Sequence, residues 1–173
     1  MTPPSQPQAP LTSADVQAAL DRFPYNIQIR FFETTTATSQ QAADNIGCAL
    51  GQIIKSICFI AAGQPVVVLT SGDQRVDDRK LAALRGISRK HVSIATPDDC
   101  IAIYGYAPGS VPPLGYRTAQ IPAYIDETLR RFDVLYGAGG AHNAIFPVTF
   151  DQLVEMTGGQ VIGIVKQAEP PTA

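Results

Sequence analysis

Two apolar segments separated by only two residues constrain the fold of this chain more than any other feature of its sequence. Residues 53–62 (IIKSICFIAA) and 65–70 (PVVVLT) have the composition of strands, and the spacer Gly63-Gln64 is typical of a β-hairpin. Strands joined by a hairpin run antiparallel, so the sheet cannot be purely parallel. Helical and strand-like segments alternate elsewhere. Together these patterns predict an α/β (α+β) fold, a single domain with a mixed, mainly antiparallel central sheet surrounded by helices.

Capping residues and hydrophobic periodicity place the other elements along the chain. Thr38 followed three residues later by Gln41 has the spacing of a capping box, and Thr149 begins a second one. Thr96-Pro97 combines an N-cap threonine with proline at the first helical position. The predicted helices cover residues 12–23, 38 to about 51, 77–84, 96 to about 105 and 149–156. The predicted strands outside the hairpin cover residues 27–32, 92–94, 119–125, 132–136 and 161–165.

The length and composition of the chain are those of one folded domain. Its 173 residues include 45% hydrophobic and only 16% charged side chains, which is enough apolar material for a core. The Pro/Gln-rich start, residues 1–11, and the end, residues 168–173, have the composition of disordered tails. The folded domain is therefore expected to span residues 12–167.

Cysteine and histidine are too few and too scattered for a structural zinc site. The three cysteines, Cys48, Cys58 and Cys100, form no C-x-x-C pair, and the two histidines, His91 and His142, are far apart. Cysteines within apolar segments are more often small core residues than nucleophiles. We therefore expect no metal site, three reduced thiols and a reducing, cytoplasmic compartment.

The sequence also carries no sign of export or of membrane insertion. The first ten residues lack the basic and apolar regions of a signal peptide. No apolar run approaches the roughly 20 residues that a membrane-spanning helix needs. These features predict a soluble protein that does not act at a membrane.

The charges of the chain argue against a broad nucleic-acid surface but leave room for a local one. The formal net charge is −2, yet six of the thirteen cations fall between Arg75 and Lys90. Asp77 and Asp78 within this segment, and Asp73 just before it, partly offset them. A solvated helix face and a phosphate-contacting patch both account for this segment.

Lys55 is the first residue that suggests chemistry, because it interrupts an otherwise apolar strand. Strand alternation places Lys55 on one face with Ile53, Ile57 and Phe59. A lysine in such a position either extends its amine to solvent at the end of the sheet or opens into a pocket to hold an anion. The strand pattern alone does not decide between these two interpretations.

The second candidate is the loop 105–115 (GYAPGSVPPLG), which contains three glycines and three prolines. Such a loop can hold backbone N–H groups in a fixed orientation without partners, because glycine tolerates unusual dihedral angles and proline restricts its neighbours. Converging N–H groups stabilise a developing oxyanion. A plain surface turn is the alternative, although this loop is unusually rich in glycine and proline for one.

The third candidate is the glycine turn that ends in His142. Gly139-Gly140-Ala141-His142 offers one polar side chain, and a lone histidine is more often structural than catalytic. The Gly-x-Ser-x-Gly signature of serine hydrolases is absent from the sequence. A hydrolase with this sequence is therefore expected to use no side-chain nucleophile.

Taken in order, these features resemble the YbaK family and the related editing domain inserted in bacterial prolyl-tRNA synthetases. Thr36-Ala37-Thr38-Ser39 leads into an Ala-rich helix, and Gly51–Ser56 (GQIIKS) matches the family strand with its single lysine. The most specific match is Gly109-Ser110-Val111-Pro112-Pro113, which fits the family's G-x-x-x-P loop. The resemblance covers roughly residues 12–166.

The resemblance implies hydrolysis of the ester that joins an amino acid to the terminal ribose of tRNA, without metal or other cofactor. It implies that Lys55 anchors the terminal phosphate or orients the aminoacyl group, and that the backbone N–H groups of Gly109, Ser110 and Val111 bind the ester carbonyl. Pro112 and Pro113 shape the loop and donate nothing. The further substrate-binding candidates are Thr36, Thr38, Gly139, Gly140 and His142. The implied partners are the aminoacylated 3′ end of tRNA and, as an open alternative, a synthetase that delivers it.

One segment departs from the family pattern. After Gly139-Gly140 the family continues with basic residues, glycine and an acid, whereas this chain has residues 141–146 (AHNAIF). The amino acid removed is therefore not predicted, and His142 inherits no role. A non-catalytic module that binds tRNA or a protein partner, and hydrolysis of a different small acyl ester, remain as alternatives.

Overall fold

The computed structural model describes residues 7–167 of the chain. The predicted tails at residues 1–6 and 168–173 lie outside the described residues. Within the rest of the predicted N-terminal tail, the Leu11 N–H donates a 2.7 Å hydrogen bond to the carbonyl oxygen of Gly105. The Arg117 guanidinium also donates to the carbonyl oxygen of Ala9. The residues just before the first helix therefore contact the domain directly.

Five helices lie in the described part of the chain, close to the predicted positions. They are α1 Ser13–Leu20, α2 Ser39–Ile46, α3 Asp78–Arg85, α4 Pro97–Asp99 and α5 Phe150–Thr157. Helix α2 ends earlier than predicted because Gly47 adopts a left-handed conformation with φ of 78° and caps it. Helix α4 continues as a wider π-helical turn over Cys100–Tyr104 and ends at Gly105. None of the helices between residues 7 and 167 is long and apolar enough to cross a membrane.

Eight strands form two sheets within residues 7–167. They are β1 Arg30–Phe31, β2 Ile54–Ala61, β3 Gln64–Ser71, β4 Val92–Ile94, β5 Ala123–Asp126, β6 Leu135–Ala138, β7 Ala144–Val148 and β8 Gln160–Ile162. The five-stranded sheet has the order β4-β2-β3-β5-β8, and the three-stranded sheet has the order β1-β7-β6. Only the β3–β5 and β5–β8 pairs are parallel. The predicted fold class is confirmed, and a single bridge between Ile53 and Tyr136 links the two sheets.

The predicted hairpin is present, with its turn one residue earlier than expected. Ala61 pairs with Gln64, so the turn residues are Ala62 and Gly63. Their φ angles of 48° and 78° are both left-handed, as a two-residue turn of type I′ requires. The hairpin is the centre of the core. Cys58 and Leu69 pack into one apolar cluster and Phe59 and Val68 into another, as strand alternation predicts.

Strand β1 is much shorter than the predicted strand over residues 27–32. The side chain of Gln17 on α1 occupies the backbone groups that precede it. Its amide nitrogen donates to the carbonyl oxygen of Ile27 at 2.9 Å, and its amide oxygen accepts from the N–H of Ile29 at 3.1 Å. A helix side chain therefore takes the place of a neighbouring strand here.

Strand β7 is the one strand between residues 7 and 167 that the sequence did not predict. Pro147 lies within it, and proline normally argues against a strand because it has no N–H to donate. Strand β1 pairs with β7 only at Ala144 and Ile145, so Pro147 lies beyond the end of that pairing. On its other side Pro147 lies opposite Tyr136 of β6. At Pro147, β7 therefore has no neighbouring strand on the β1 side within the described residues, and the missing N–H leaves no hydrogen bond unmade there.

Candidate active site

A cavity of about 310 Å³ opens between the entry to α2, the start of β2 and the loop after Gly105. We call it the Thr36 cavity. Its volume is at the lower end of the range of about 300–1,000 Å³ found for small-molecule sites. Five residues singled out from the sequence line it: Thr36, Thr38, Lys55, Gly109 and Val111. Residues about 70 positions apart along the sequence are thus brought together by the fold.

The first wall of the cavity is the segment that leads into α2. Thr36 is buried, and its N–H donates a 2.6 Å hydrogen bond to the carbonyl oxygen of His142. Thr38 closes the capping box that the sequence predicts: its hydroxyl accepts from the N–H of Gln41, and its own N–H donates to the side chain of Gln41, both at 3.1 Å. The position of this wall is therefore fixed both by the helix cap and by the β6–β7 loop.

The second wall is the glycine- and proline-rich loop. Gly109 has a left-handed φ of 85°, and a Cβ at this position would lie 3.0 Å from the carbonyl oxygen of Ala37. Only glycine fits both the conformation and the close approach. The loop therefore rests directly on the first wall.

Two N–H groups of this loop are free to bind a ligand. Among the described residues, the N–H groups of Gly109 and Val111 have no hydrogen-bond acceptor, and both residues line the cavity. Ser110 differs, because its N–H and its hydroxyl both donate to the carbonyl oxygen of Ala107, at 3.1 and 2.8 Å. The cavity lining therefore includes two residues whose backbone N–H groups are unpaired among the described residues, one on each side of Ser110.

The prolines of the loop shape it from outside the cavity. The hydroxyl of Tyr116 donates a 2.8 Å hydrogen bond to the carbonyl oxygen of Pro112. The hydroxyl of Tyr106 likewise donates to the carbonyl oxygen of Gly115 at 2.8 Å. Burial raises the pKa of both tyrosines, so their hydroxyls stay protonated and can keep donating. A buried tyrosine, Tyr106, and a partly buried one, Tyr116, therefore hold the loop in shape.

Lys55 lies at the border between the Thr36 cavity and a second one. Its ammonium donates to the carbonyl oxygen of Gln74. Burial lowers the pKa of Lys55 below its ordinary value, the nearby Arg75 guanidinium lowers it further, and Asp73 opposes both. Lys55 also lines a cavity of about 250 Å³ on the side of Arg75 and Lys166, which we call the Lys166 cavity. Lys55 therefore lines both cavities.

The remaining sequence candidates do not line the Thr36 cavity, among the residues that the structure describes. They are Ser110, Pro112, Pro113, Gly139, Gly140 and His142. Gly139 and Gly140 form the turn between β6 and β7, where a Cβ on Gly140 would lie 2.8 Å from a methyl carbon of Val16. The ring Nε2 of His142 lies 3.3 Å from the carbonyl oxygen of Pro108. Direct contact of these six residues with substrate remains a prediction.

Apolar side chains that were not among the sequence candidates complete the cavity wall. They are Ala42, Ile53, Ile54, Ala138 and Ile145. Ile145 could not be found because its strand, β7, was missed. Ile53 and Ile54 precede Lys55 directly, and their apolar character gave no sign that they lie at the end of a sheet beside an opening.

Comparison with known proteins agrees with this geometry. The family described as "Aminoacyl-tRNA editing domain" matches residues 33–156, which include the Thr36 segment, Lys55 and the Gly109 loop. The chain is 33% identical over 132 residues to "Uncharacterized protein YwhH" of Bacillus subtilis, covering 75% of this chain and 81% of that protein. It is 26% identical over 124 residues to "Putative Cys-tRNA(Pro)/Cys-tRNA(Cys) deacylase EbsC" of Enterococcus faecalis, covering 71% and 74%.

A solved structure resembles the whole domain. The crystal structure of "a putative trans-editing enzyme for prolyl tRNA synthetase" superposes with a TM-score of 0.83 at 33% sequence identity. The match covers 90% of this chain and 97% of that one.

Proposed function

The chain belongs to the aminoacyl-tRNA editing domain family, and on that premise we propose that it is a trans-acting deacylase of mischarged tRNA. It would hydrolyse the ester between an amino acid and the 3′-terminal ribose. The observation that carries the proposal is the pair of free N–H groups, on Gly109 and Val111, that line the Thr36 cavity. Backbone N–H groups that bind the ester carbonyl oxygen would stabilise the negative charge that develops there during hydrolysis.

In the proposed reaction, the ester carbonyl oxygen lies against these two N–H groups. A water molecule attacks the carbonyl carbon, and the oxygen takes up the negative charge of the tetrahedral intermediate. The intermediate then collapses with cleavage of the bond to the ribose oxygen, which takes the proton that the attacking water gives up and leaves as a hydroxyl. A hydroxyl of the ribose assists by orienting the water. Because an aminoacyl ester is already activated, positioning and charge stabilisation suffice without a side-chain nucleophile or a metal.

Lys55 is the proposed anchor of the substrate. Lys55 lines the Thr36 cavity, and among the described residues its ammonium has one hydrogen-bond acceptor, the carbonyl oxygen of Gln74. A phosphate is a stronger partner for an ammonium than a neutral carbonyl, because the hydrogen bond is then charge-assisted on both sides. Binding of the terminal phosphate would also reverse the lowering of the Lys55 pKa that burial and Arg75 cause.

The aminoacyl group is proposed to enter along the wall formed by Thr36 and Thr38. Apolar groups from Ala42, Ile53 and Ile145 close that side of the cavity. Substrate would then reach the protein as the aminoacylated 3′ end of tRNA in the cytoplasm, either free or delivered by an aminoacyl-tRNA synthetase. The similarity to a structure described as a trans-editing enzyme for prolyl tRNA synthetase supports the second route.

A deacylation screen tests the proposal. Purified protein is incubated with a panel of mischarged tRNAs, and the release of free amino acid is followed for each. We expect release from one or a few members and its loss in Lys55→Ala, with the variant shown to be folded by its thermal unfolding transition. Competition by uncharged tRNA distinguishes this activity from hydrolysis of an unrelated acyl ester.

Two results would contradict parts of the proposal. Undiminished release by Lys55→Ala would remove Lys55 from the mechanism. A folded wild-type protein that releases nothing from any member of the panel would favour the non-catalytic binding module instead. The departure from the family pattern at residues 141–146 is the feature that supports this second function.

A further inference from the structure

The Lys166 cavity combines an apolar floor with a rim of three cations. Alternation along β2 places Lys55, Ile57 and Phe59 on one face, and Ile94 of β4 pairs with Phe59. These apolar residues form the floor of the cavity, and Ile94 is 69% exposed. Lys55, Arg75 and Lys166 surround it. The cavity therefore offers positive charge for the phosphate of a nucleotide and apolar surface for its base.

The positive charge of this cavity is not balanced within the described part of the chain. The only carboxylate that lines it belongs to Asp78, which already forms a 3.0 Å ion pair with Arg89. Arg75 and Lys166 form no ion pair between residues 7 and 167. The N–H of Lys166 donates to the carbonyl oxygen of Arg75 at 2.8 Å, so the two residues lie side by side. The chain as a whole has a net charge of −2, which makes this local excess notable.

Three of the six cations between Arg75 and Lys90 form contacts within the protein. Lys80 donates to the carbonyl oxygen of Val165 at 2.9 Å, Arg85 reaches the hydroxyl of Tyr124 at 3.4 Å, and Arg89 pairs with Asp78. Of the six cations in the segment, Arg75 is the one that also lines a cavity with other uncompensated cations.

We propose that the Lys166 cavity binds a phosphodiester of the single-stranded tRNA end whose terminal nucleotide occupies the Thr36 cavity. The proposal rests on the proposed function and adds the path of the RNA. Lys55 is the one described residue that lines both cavities, so an RNA strand anchored at Lys55 can continue past it towards Arg75 and Lys166. The phosphate is held by these cations, and the attached nucleoside lies against Ile94 and the apolar floor.

Phosphate fits the site better than an isolated carboxylate does. Proteins hold RNA and DNA backbones with lysine and arginine, and single strands additionally cover apolar or aromatic surface with their bases. A cavity with three cations and an exposed isoleucine meets both needs at once. The direction of the RNA strand follows from the Thr36 cavity. Because the ester lies in that cavity, Lys55 contacts the phosphate nearest the ester, and the strand continues towards Arg75 and Lys166.

A pair of charge-matched double variants tests the proposal. The first, Arg75→Gln with Lys166→Gln, removes two cations from the cavity. The second, Arg79→Gln with Lys90→Gln, removes two exposed cations that do not line it. The binding of uncharged tRNA is measured by fluorescence anisotropy over a range of salt concentrations, after thermal unfolding has shown that both variants fold. Uncharged tRNA is used so that the result does not depend on hydrolysis.

The cavity variant is expected to bind tRNA about tenfold more weakly, and its plot of log K against log salt should be shallower by about 0.7, the change expected for one phosphate of a single strand. The matched variant should stay close to the wild type. Equal weakening in both variants would overturn the proposal, because it would indicate only diffuse attraction. No weakening in the cavity variant, or no tRNA binding by the wild type, would overturn it as well. Wild-type protein that binds tRNA through the cavity but releases no amino acid would contradict the proposed function alone.

Discussion

Gly109 packs so closely against Ala37 that a Cβ on Gly109 would lie 3.0 Å from the Ala37 carbonyl oxygen. This contact joins the two walls of the Thr36 cavity, one built from the entry to α2 and the other from the glycine- and proline-rich loop. It sets the distance between the threonines and the free N–H groups. The geometry of the site therefore depends on the absence of one methyl group.

Replacement of Gly109 by alanine should lower the free energy of unfolding by about 1–3 kcal/mol, because the left-handed φ and the contact with Ala37 both oppose a side chain. Urea denaturation measures this change. Hydrolysis of mischarged tRNA should fall further than the loss of folded protein explains, since the loop has to move away from Ala37.

Gly63→Ala is the control for that experiment. Gly63 has a similar φ of 78°, but a Cβ there would meet nothing within 4 Å. The Gly63→Ala variant should therefore be less stable only because of backbone strain, and it should keep its deacylation activity. If both variants behave alike in the deacylation assay, the contact between Gly109 and Ala37 does not shape the site.

Thr38→Ala should lower the free energy of unfolding by about 1 kcal/mol, because the hydroxyl caps α2. Thr149→Ala removes the equivalent cap of α5, where the hydroxyl accepts from the N–H of Gln152 at 3.2 Å. Both should therefore cost similar stability in chemical denaturation. Only Thr38 lines the Thr36 cavity, so only Thr38→Ala should also change the rate of deacylation. A similar loss of activity in both would mean that helix capping acts on the site only through stability.

The lowered pKa of Lys55 predicts how stability changes with pH. In the unfolded chain this lysine titrates near its ordinary value of 10.5, and in the folded protein it titrates lower. Between the two values the unfolded state binds more protons, so the free energy of unfolding should rise with pH in that window. Lys55→Met should lack this rise. Urea denaturation at several alkaline pH values checks it, and parallel curves for the two proteins would show that the pKa is not lowered.

Thr70→Val should raise the free energy of unfolding by about 1 kcal/mol, since the hydroxyl of Thr70 is fully buried and has no hydrogen-bond partner among the described residues. The neighbouring Ser71 is equally buried, but its hydroxyl donates to the carbonyl oxygen of Gly51 and accepts from Arg131 at 2.9 Å. Ser71→Ala should therefore be destabilising. Thermal unfolding of the two variants gives opposite shifts if the assignment is correct, and shifts of the same sign contradict it.

The sequence predicted those helices and strands whose ends are determined by residues close together in the chain. Capping boxes act over four residues, and the threonines at 38 and 149 begin helices as expected. The hairpin turn is equally local. Strand β1 ended early because the side chain of Gln17 competes for its backbone groups, and strand β7 was missed because Pro147 lies where no third strand needs its N–H. Both errors depend on contacts between residues far apart in sequence.

The candidate site was predictable only in part for the same reason. The family pattern located Thr36, Lys55 and Gly109, which the fold brings to one cavity. Pattern alone did not distinguish Ser110, whose N–H is used within its own turn, from Val111, whose N–H is free. The geometry of the turn decides which backbone N–H groups lack a hydrogen-bond partner, and this geometry cannot be inferred from the residue types alone.

The position of Lys55 between two cavities has one more consequence. A ligand that draws its ammonium away from the carbonyl oxygen of Gln74 changes the charge available on both sides at once. Occupancy of either cavity then alters the affinity of the other, and thermodynamic reciprocity makes the two effects equal in size. On the proposed function, an aminoacylated RNA end should therefore dissociate at a different rate from an uncharged one, since only the former adds an aminoacyl group to the Thr36 cavity.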